Sequence, residues 1–256
     1  MIINRYFQSF WSIVILLFLI NLIVNWGFIP EIFSHDQYRT YGGDGINYQY
    51  FDESFYRNLK EFKNPFDHNY NILYPFGTPT ALQDLAPIHS IYFIFLRPFF
   101  SIHGSILLSI LISIFLAEIF TYLLLRYLGV SKFFSLIFAL VFAFNPGASI
   151  RILGHFAYMH YFIFPLSVLL ILLILRENKK LIFYSIGLGI SVSLLIYSTF
   201  YFFIMFILLI LLYTTAYLII SRRNFGTVFE IFRDKIRFFL LSLGVFLISI
   251  MPFIYA

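Results

Sequence analysis

The sequence contains no cysteine and very little charge, since Asp, Glu, Lys and Arg together make up 11% of its 256 residues. Without cysteine, the chain can form neither disulfide bonds nor thiolate-bound metal sites. A soluble domain is roughly 25% charged, whereas 61% of this chain is hydrophobic. These deficits exclude a water-soluble globular protein and predict an all-α fold, that of a polytopic helical membrane protein.

Apolar segments of about 20 residues are long enough to cross a bilayer as helices. The sequence predicts about seven: Phe10–Ile29, Ile102–Leu125, Phe133–Asn145, Ala157–Leu175, Leu181–Tyr197, Phe200–Ile220 and Phe238–Tyr255. The apolar segment Ile88–Phe100 is too short to cross, so we interpret it as re-entrant or interfacial. We expect a single transmembrane domain over residues 1–256. Because the last apolar segment runs to the final residue, we also expect a C-terminal part to be missing.

The basic residues predict the orientation of the chain. With the N-terminus in the cytoplasm, eleven Lys and Arg residues lie inside and six lie outside, in agreement with the positive-inside tendency of membrane proteins. These cations flank apolar segments and form no basic patch, which argues against nucleic-acid binding. We therefore predict a multi-pass protein of the plasma membrane whose first long loop, residues 31–87, is extracytoplasmic.

That first loop carries eight of the twelve acidic residues and is long enough to be functional. Between residues 51 and 62, Phe51, Phe55, Leu59 and Phe62 recur at helical spacing, with charged residues on the opposite face. This pattern predicts an amphipathic helix lying in the membrane interface and ending before Asn64–Pro65. The following "NILYPFGTPT", residues 71–80, is a turn-rich stretch that includes Tyr74.

Asp44 lies among Gly42, Gly43 and Gly45 in "YGGDGINYQYFDES", residues 41–54. Glycines permit close approach of another molecule, so Asp44 is a candidate catalytic carboxylate. The alternative interpretation is a solvated turn in which the Asp makes local hydrogen bonds.

A second outer loop, "NPGASIRILGH" at residues 145–155, places Arg151 and His155 near the membrane surface. The planar fork of an Arg suits a phosphate group. The alternative interpretation is an interfacial Arg whose stem covers apolar surface.

Polar and small residues inside the spans carry separate predictions. Glu118 is a rare acid within a span, and we expect it either to be protonated or to pair with a polar neighbour such as Asn21 or Asn25, which share one face of the first span. Gly187 and Gly189 indicate close helix packing. His35 beside Asp36 matches no metal-binding motif, so no metal ligand is assigned; a divalent cation is possible but not indicated, and the cofactor is unknown.

The arrangement of these features resembles the GT-C superfamily of multispanning bacterial glycosyltransferases that use polyprenyl-phosphate sugars. The resemblance covers the layout of the whole chain, while the matching residues are confined to "GGDG", "YPFGTP" and "RILGH". It implies transfer of a sugar from a polyprenyl-phosphate donor to a cell-envelope acceptor on the extracytoplasmic face.

The same resemblance implies roles for individual residues. Asp44 is the expected general base and Arg151 the expected phosphate ligand, with further substrate contacts assigned to His155, Tyr74, Asp36 and Asp52. Two other classes stay open. A transporter or flippase of envelope precursors would place its ionisable residues near the middle of the bilayer, and a non-catalytic scaffold would need no such site.

Overall fold

The computed structural model describes residues 2–34, 45–64, 87–147, 155–221 and 225–254. Within these ranges every regular element is helical, as the composition predicts. The α-helices are α1 (Ile2–Val24), α2 (Ile29–Ile32), α3 (Gly45–Lys60), α4 (Pro87–Leu96), α5 (Ile102–Tyr127), α6 (Lys132–Ala143), α7 (Ile163–Arg176), α8 (Leu181–Ser198), α9 (Phe200–Ser221) and α10 (Phe225–Ile254), with 3-10 helices at Trp26–Phe28 and Phe156–His160.

Five helical segments are long and apolar enough to cross a membrane: Ile102–Tyr127, Phe156–Arg176, Leu181–Ser198, Phe200–Tyr217 and Arg233–Pro252. A sixth is formed if Phe10–Val24 and Trp26–Ile32, which meet at a bend of 66°, make one broken span. The prediction of a helical multi-pass protein is therefore supported, while the count of seven stays a prediction.

The short helix α6 explains the difference between seven spans and six, because the segment of α4 was not counted as a span. At 1.5 Å per residue, the ten residues of α4 extend for about 15 Å and the twelve of α6 for about 18 Å. The hydrocarbon core of a bilayer is about 30 Å thick. The length of α4 agrees with the prediction that its segment does not form a full span, and α6 alone is shorter than the predicted third span.

The chain divides into two compact units, Met1–Arg57 with Ala86–Phe162 and Asn58–Leu85 with Ile163–Ala256. In the first unit α5 is the central helix, against which α1, α2, α4, α6 and the second 3-10 helix pack. In the second unit α8 has this role and packs against α7, α9 and α10. The earlier expectation of a single transmembrane domain stays a prediction.

Local sequence explains where α5 begins and ends. The Ser101 side chain accepts a hydrogen bond from the Gly104 backbone N–H at 3.1 Å, which caps the first turn. At the other end Gly129 has a φ of 88°, and the N–H groups of Gly129 and Val130 bond back to the carbonyls of Arg126 and Leu125. This is the Schellman ending that glycine favours.

The predicted amphipathic helix exists, but its bounds differ from the prediction. The helix α3 starts at Gly45 and ends at Lys60, and the predicted apolar residue Phe62 lies beyond it, 99% exposed and with a φ of 56°. Phe62 and Lys63 donate their backbone N–H groups to Leu59 and Asn58, again a Schellman ending. Because a phenylalanine rather than a glycine occupies the left-handed position, the sequence did not signal this end.

Candidate functional site

The loop helix α3 is attached to the first unit through both polar and apolar groups. Phe55, Ser54 and Gln49 are buried. Glu53 accepts a hydrogen bond from Arg97 Nε at 3.2 Å, and Arg97 Nη1 also donates to the Phe100 carbonyl at 3.0 Å. The ion pair joins α3 to the residues just after α4, so a segment that could have been a plain connector is an organised part of the unit.

A cluster of polar side chains lies behind α4, in the interior of the same unit. His89 from α4 and His160 from the 3-10 helix are completely buried, with their Nε2 atoms 3.4 Å apart. His89 Nδ1 lies 2.9 Å from Ser109 Oγ, and His160 Nδ1 lies 2.6 Å from Ser113 Oγ. Helix α5 supplies both hydroxyls from successive turns.

The two histidines and two serines have fewer protons than contacts. The hydroxyls of Ser109 and Ser113 reach the carbonyls of Ile106 and Ser109 at 2.7 and 2.8 Å, in addition to the rings. Burial lowers the pKa of His89 to about 3, a shift that its hydrogen bond to the Phe156 backbone partly offsets. The ring is therefore neutral at ordinary pH. Two neutral rings and two hydroxyls bring four protons to six contacts, which are two His–Ser, two Ser–carbonyl, the His89–Phe156 and the His89–His160 contacts. Two of the six contacts therefore carry no proton.

The histidine–serine cluster therefore acts first as a connection between elements. It holds α4 and the second 3-10 helix against α5, and Tyr92 adds a ring stacked on His160 at an interplanar angle of 17°. Because both imidazoles are fully buried, they do not contact a substrate in this conformation.

Further along α5, Glu118 is also fully buried. Asn21 Nδ2 donates a hydrogen bond to its Oε1 at 3.5 Å, and Asn25 Nδ2 donates to the Asn21 carbonyl at 3.0 Å. The sequence prediction that Glu118 pairs with this asparagine face is confirmed. At the N-terminal end of α5, His103 lies 3.5 Å from the Glu31 carboxylate in α2.

Most of the predicted site residues lie outside the described ranges, namely Asp36, Asp44, Tyr74 and Arg151. Asp52 falls within α3. His155 immediately precedes the 3-10 helix Phe156–His160, with its ring edge-to-face with Tyr158 at a centroid distance of 6.3 Å. The roles assigned to these six residues stay predictions.

The histidine–serine cluster was not predicted, although one signal was present. Ser105, Ser109 and Ser113 recur every four residues and so mark a polar stripe on an otherwise apolar span. The partners of that stripe, His89 and His160, are distant in sequence and only the fold brings them together. Within the described ranges no group of three or more His, Asp or Glu side chains is placed to hold a metal ion.

The described residues form a helical protein with several helices long and apolar enough to cross a membrane and with buried polar clusters in its first unit. The chain belongs to the family described as Domain of unknown function (DUF6311), which matches residues 13–255. No curated protein and no solved structure matches the chain.

Proposed function

We propose that this chain is a membrane glycosyltransferase of the GT-C kind. It transfers a sugar from a polyprenyl-phosphate donor to a cell-envelope acceptor at the extracytoplasmic face of the plasma membrane. The observation that supports this proposal is the organisation of α3. This helix begins at the residue after Asp44, buries Gln49 and Phe55, and is tied by Glu53 to Arg97.

The proposed chemistry needs a base and a phosphate ligand near the membrane surface. Asp44 removes the proton from the acceptor hydroxyl as it attacks the sugar. Arg151 stabilises the departing lipid phosphate through paired hydrogen bonds. We further assign substrate contacts to His155, Tyr74, Asp36 and Asp52, which come from the same two loops. A lipid-linked donor arrives laterally through the bilayer, so no soluble nucleotide-binding domain is required.

The proposal includes the finer topology. We place the N-terminus in the cytoplasm and the chain across the plasma membrane seven times, with α1 and α2 forming the broken first span. The third crossing then uses α6 together with the residues that follow it, because α6 alone extends for only about 18 Å. In this arrangement α3 and α4 lie on the outer side.

Sugar transfer from a synthetic polyprenyl-phosphate donor by the chain in proteoliposomes tests the proposal. Asp44→Asn should lower the rate by about 10²–10⁴-fold, the usual contribution of a carboxylate base. Glu61→Gln is the matched control, because Glu61 belongs to the same loop and forms an ion pair with Lys63 in which both side chains are largely exposed. Equal rates for Asp44→Asn and the wild type would refute the assignment of the base. Absence of sugar transfer by the wild type with every donor tested would refute the proposed enzymatic activity.

A transporter or flippase is the second candidate, and one observation favours it. Glu118 is buried in α5 beside Asn21 and Asn25, next to the bend between α1 and α2. Ionisable residues inside a membrane often line substrate or ion pathways. Movement of a labelled lipid precursor across the vesicle bilayer without sugar transfer would favour this candidate over the enzyme.

A further inference from the structure

The first span is broken beside a buried acid. Helix α1 ends at Val24, a 3-10 turn follows at Trp26–Phe28, and the two parts meet at 66°. The carbonyl end of a helix carries a partial negative charge of about one half. Asn21 and Asn25, both buried, lie in and just after the last turn of α1. The break therefore places two amide side chains in the interior of the first unit, while the Asn21 carbonyl accepts from the Asn25 N–H and Nδ2 and the Asn25 carbonyl accepts from the Phe28 N–H.

Glu118, which contacts Asn21, and Thr121, three residues further along α5, carry two more buried oxygens. Glu118 is 0% exposed and Thr121 is 8% exposed. Residues three apart on a helix are neighbours on its surface. Neither Glu118 Oε2 nor Thr121 Oγ1 has a hydrogen-bond partner among the residues that the structure describes. Such buried oxygens are rare in folded proteins because each costs the free energy of its lost hydration.

The charge balance of the group indicates what would satisfy these oxygens. A buried carboxylate is costly unless an opposite charge accompanies it. Asn21 donates one long hydrogen bond of 3.5 Å to Oε1, which is a neutral contact. The partial negative charge at the carbonyl end of α1 further favours a positive charge at this position. A monovalent cation balances one carboxylate, whereas a divalent cation would leave an excess positive charge in the interior.

We propose that Glu118, Thr121 and Asn21, at the break of α1, bind one alkali-metal cation, Na⁺ or K⁺. Glu118 Oε2 and Thr121 Oγ1 supply oxygen ligands from α5, and Asn21 supplies Oδ1 from α1 in place of the long hydrogen bond of 3.4 Å that this atom accepts from Asn25 Nδ2. In transporters, interrupted membrane helices bind ions through oxygens at the interruption. The site is distinct from the proposed sugar-transfer residues and does not depend on that function.

A proton on Glu118 is the competing occupant. It would neutralise the carboxylate but would leave the Thr121 hydroxyl without a partner. A proton on Oε2 would also need an acceptor, and that atom has no hydrogen-bond partner among the described residues. A metal cation satisfies both oxygens at once, and the arrangement therefore favours it.

Binding can be followed in the purified 256-residue chain in detergent. The chain has two tryptophans, so Trp11→Phe leaves Trp26, the residue after Asn25, as the single fluorescent reporter. NaCl and KCl are each titrated against choline chloride at constant ionic strength and pH. We expect a saturable change in Trp26 emission and a saturable rise in Tm with Na⁺ or K⁺, and neither change with choline. The alkali cation that saturates the response at the lower concentration is the ligand.

Variants test whether the response belongs to this site. Glu118→Gln should abolish the saturable response, and Thr121→Val, which keeps the shape of the side chain, should weaken the apparent affinity by about tenfold or more. Asp234→Asn is the control, because the Asp234 side chain is 71% exposed and its variant should respond like the wild type.

Several results would overturn the proposal. They are identical responses to choline and to both alkali cations in the wild type, an unchanged response in Glu118→Gln, and an unchanged affinity in Thr121→Val. A change of emission that follows pH, with no dependence on the alkali cation, would show that the occupant is a proton. If Glu118→Gln does not fold, the comparison of salts on the wild type and the affinity of Thr121→Val still test whether the cation binds at this site.

Discussion

Arg97→Met removes the guanidinium that ties α3 to the end of α4. At 3.2 Å the attraction between Arg97 and Glu53 is about 5 kcal/mol before the cost of desolvation, for an effective dielectric constant of about 20. Their side chains are 17% and 34% exposed, so water still reaches them. Exposed pairs contribute about 0.2–1 kcal/mol, and we expect about 1–2 kcal/mol for this partly buried pair.

A double-mutant cycle isolates that interaction. Arg97 also donates to the Phe100 carbonyl, and a cycle of Arg97→Met, Glu53→Gln and the double variant cancels this second contact. Unfolding in mixed micelles of SDS and a mild detergent, followed by tryptophan fluorescence, gives each free energy. The Lys63–Glu61 pair is the matched control, because its side chains are 60% and 47% exposed and should couple by under about 1 kcal/mol.

The outcome bears on the role of α3 as well as on stability. If the Glu53–Arg97 coupling is no larger than that of Lys63–Glu61, the ion pair does not hold the loop helix and the reasoning is wrong. If the coupling is as expected, Arg97→Met should also reduce sugar transfer under the proposed function, because α3 directly follows Asp44 in sequence.

Two further predictions concern packing and topology. Gly189→Ala should destabilise the chain by about 1–3 kcal/mol in the same unfolding assay, because a Cβ there would lie 2.5 Å from the Ser242 carbonyl oxygen. Gly187→Ala is the control and should be tolerated, because its Cβ would meet only the Leu170 methyl groups, at 3.4 Å and beyond. A single cysteine at Asn69 should react with a membrane-impermeant maleimide from outside intact cells, and labelling only from the cytoplasmic side would refute the proposed orientation.

Several features could be predicted because they depend on local sequence. The spans of α5, α8 and α9 begin where their apolar segments begin, since length and hydropathy alone decide whether a helix suits a bilayer. The pairing of Glu118 with Asn21 followed from two asparagines four residues apart, which must share a face of a helix. The close contact at Gly189 followed from the small residue itself.

Other features could not be predicted because their partners are far apart in sequence. His89 and His160 are 71 positions apart, and Glu53 and Arg97 are 44 apart. Helical periodicity shows which face of α5 carries Ser109 and Ser113, but not which elements that face meets. The end of α3 was missed for a different reason, because Phe62 adopts a conformation that glycine usually takes.

The sequence by itself determined the class of this protein, because so little charge and so much apolar length are compatible only with a helical fold in a membrane. It also identified the apolar segments of α5, α8 and α9 as long enough to cross, and the acid within α5. The tertiary structure alone decided that α1 breaks beside that acid, and that two histidines meet two serines behind α4. Hydrophobicity is a property that each segment carries on its own, whereas a polar contact between helices exists only once packing has fixed their relative positions.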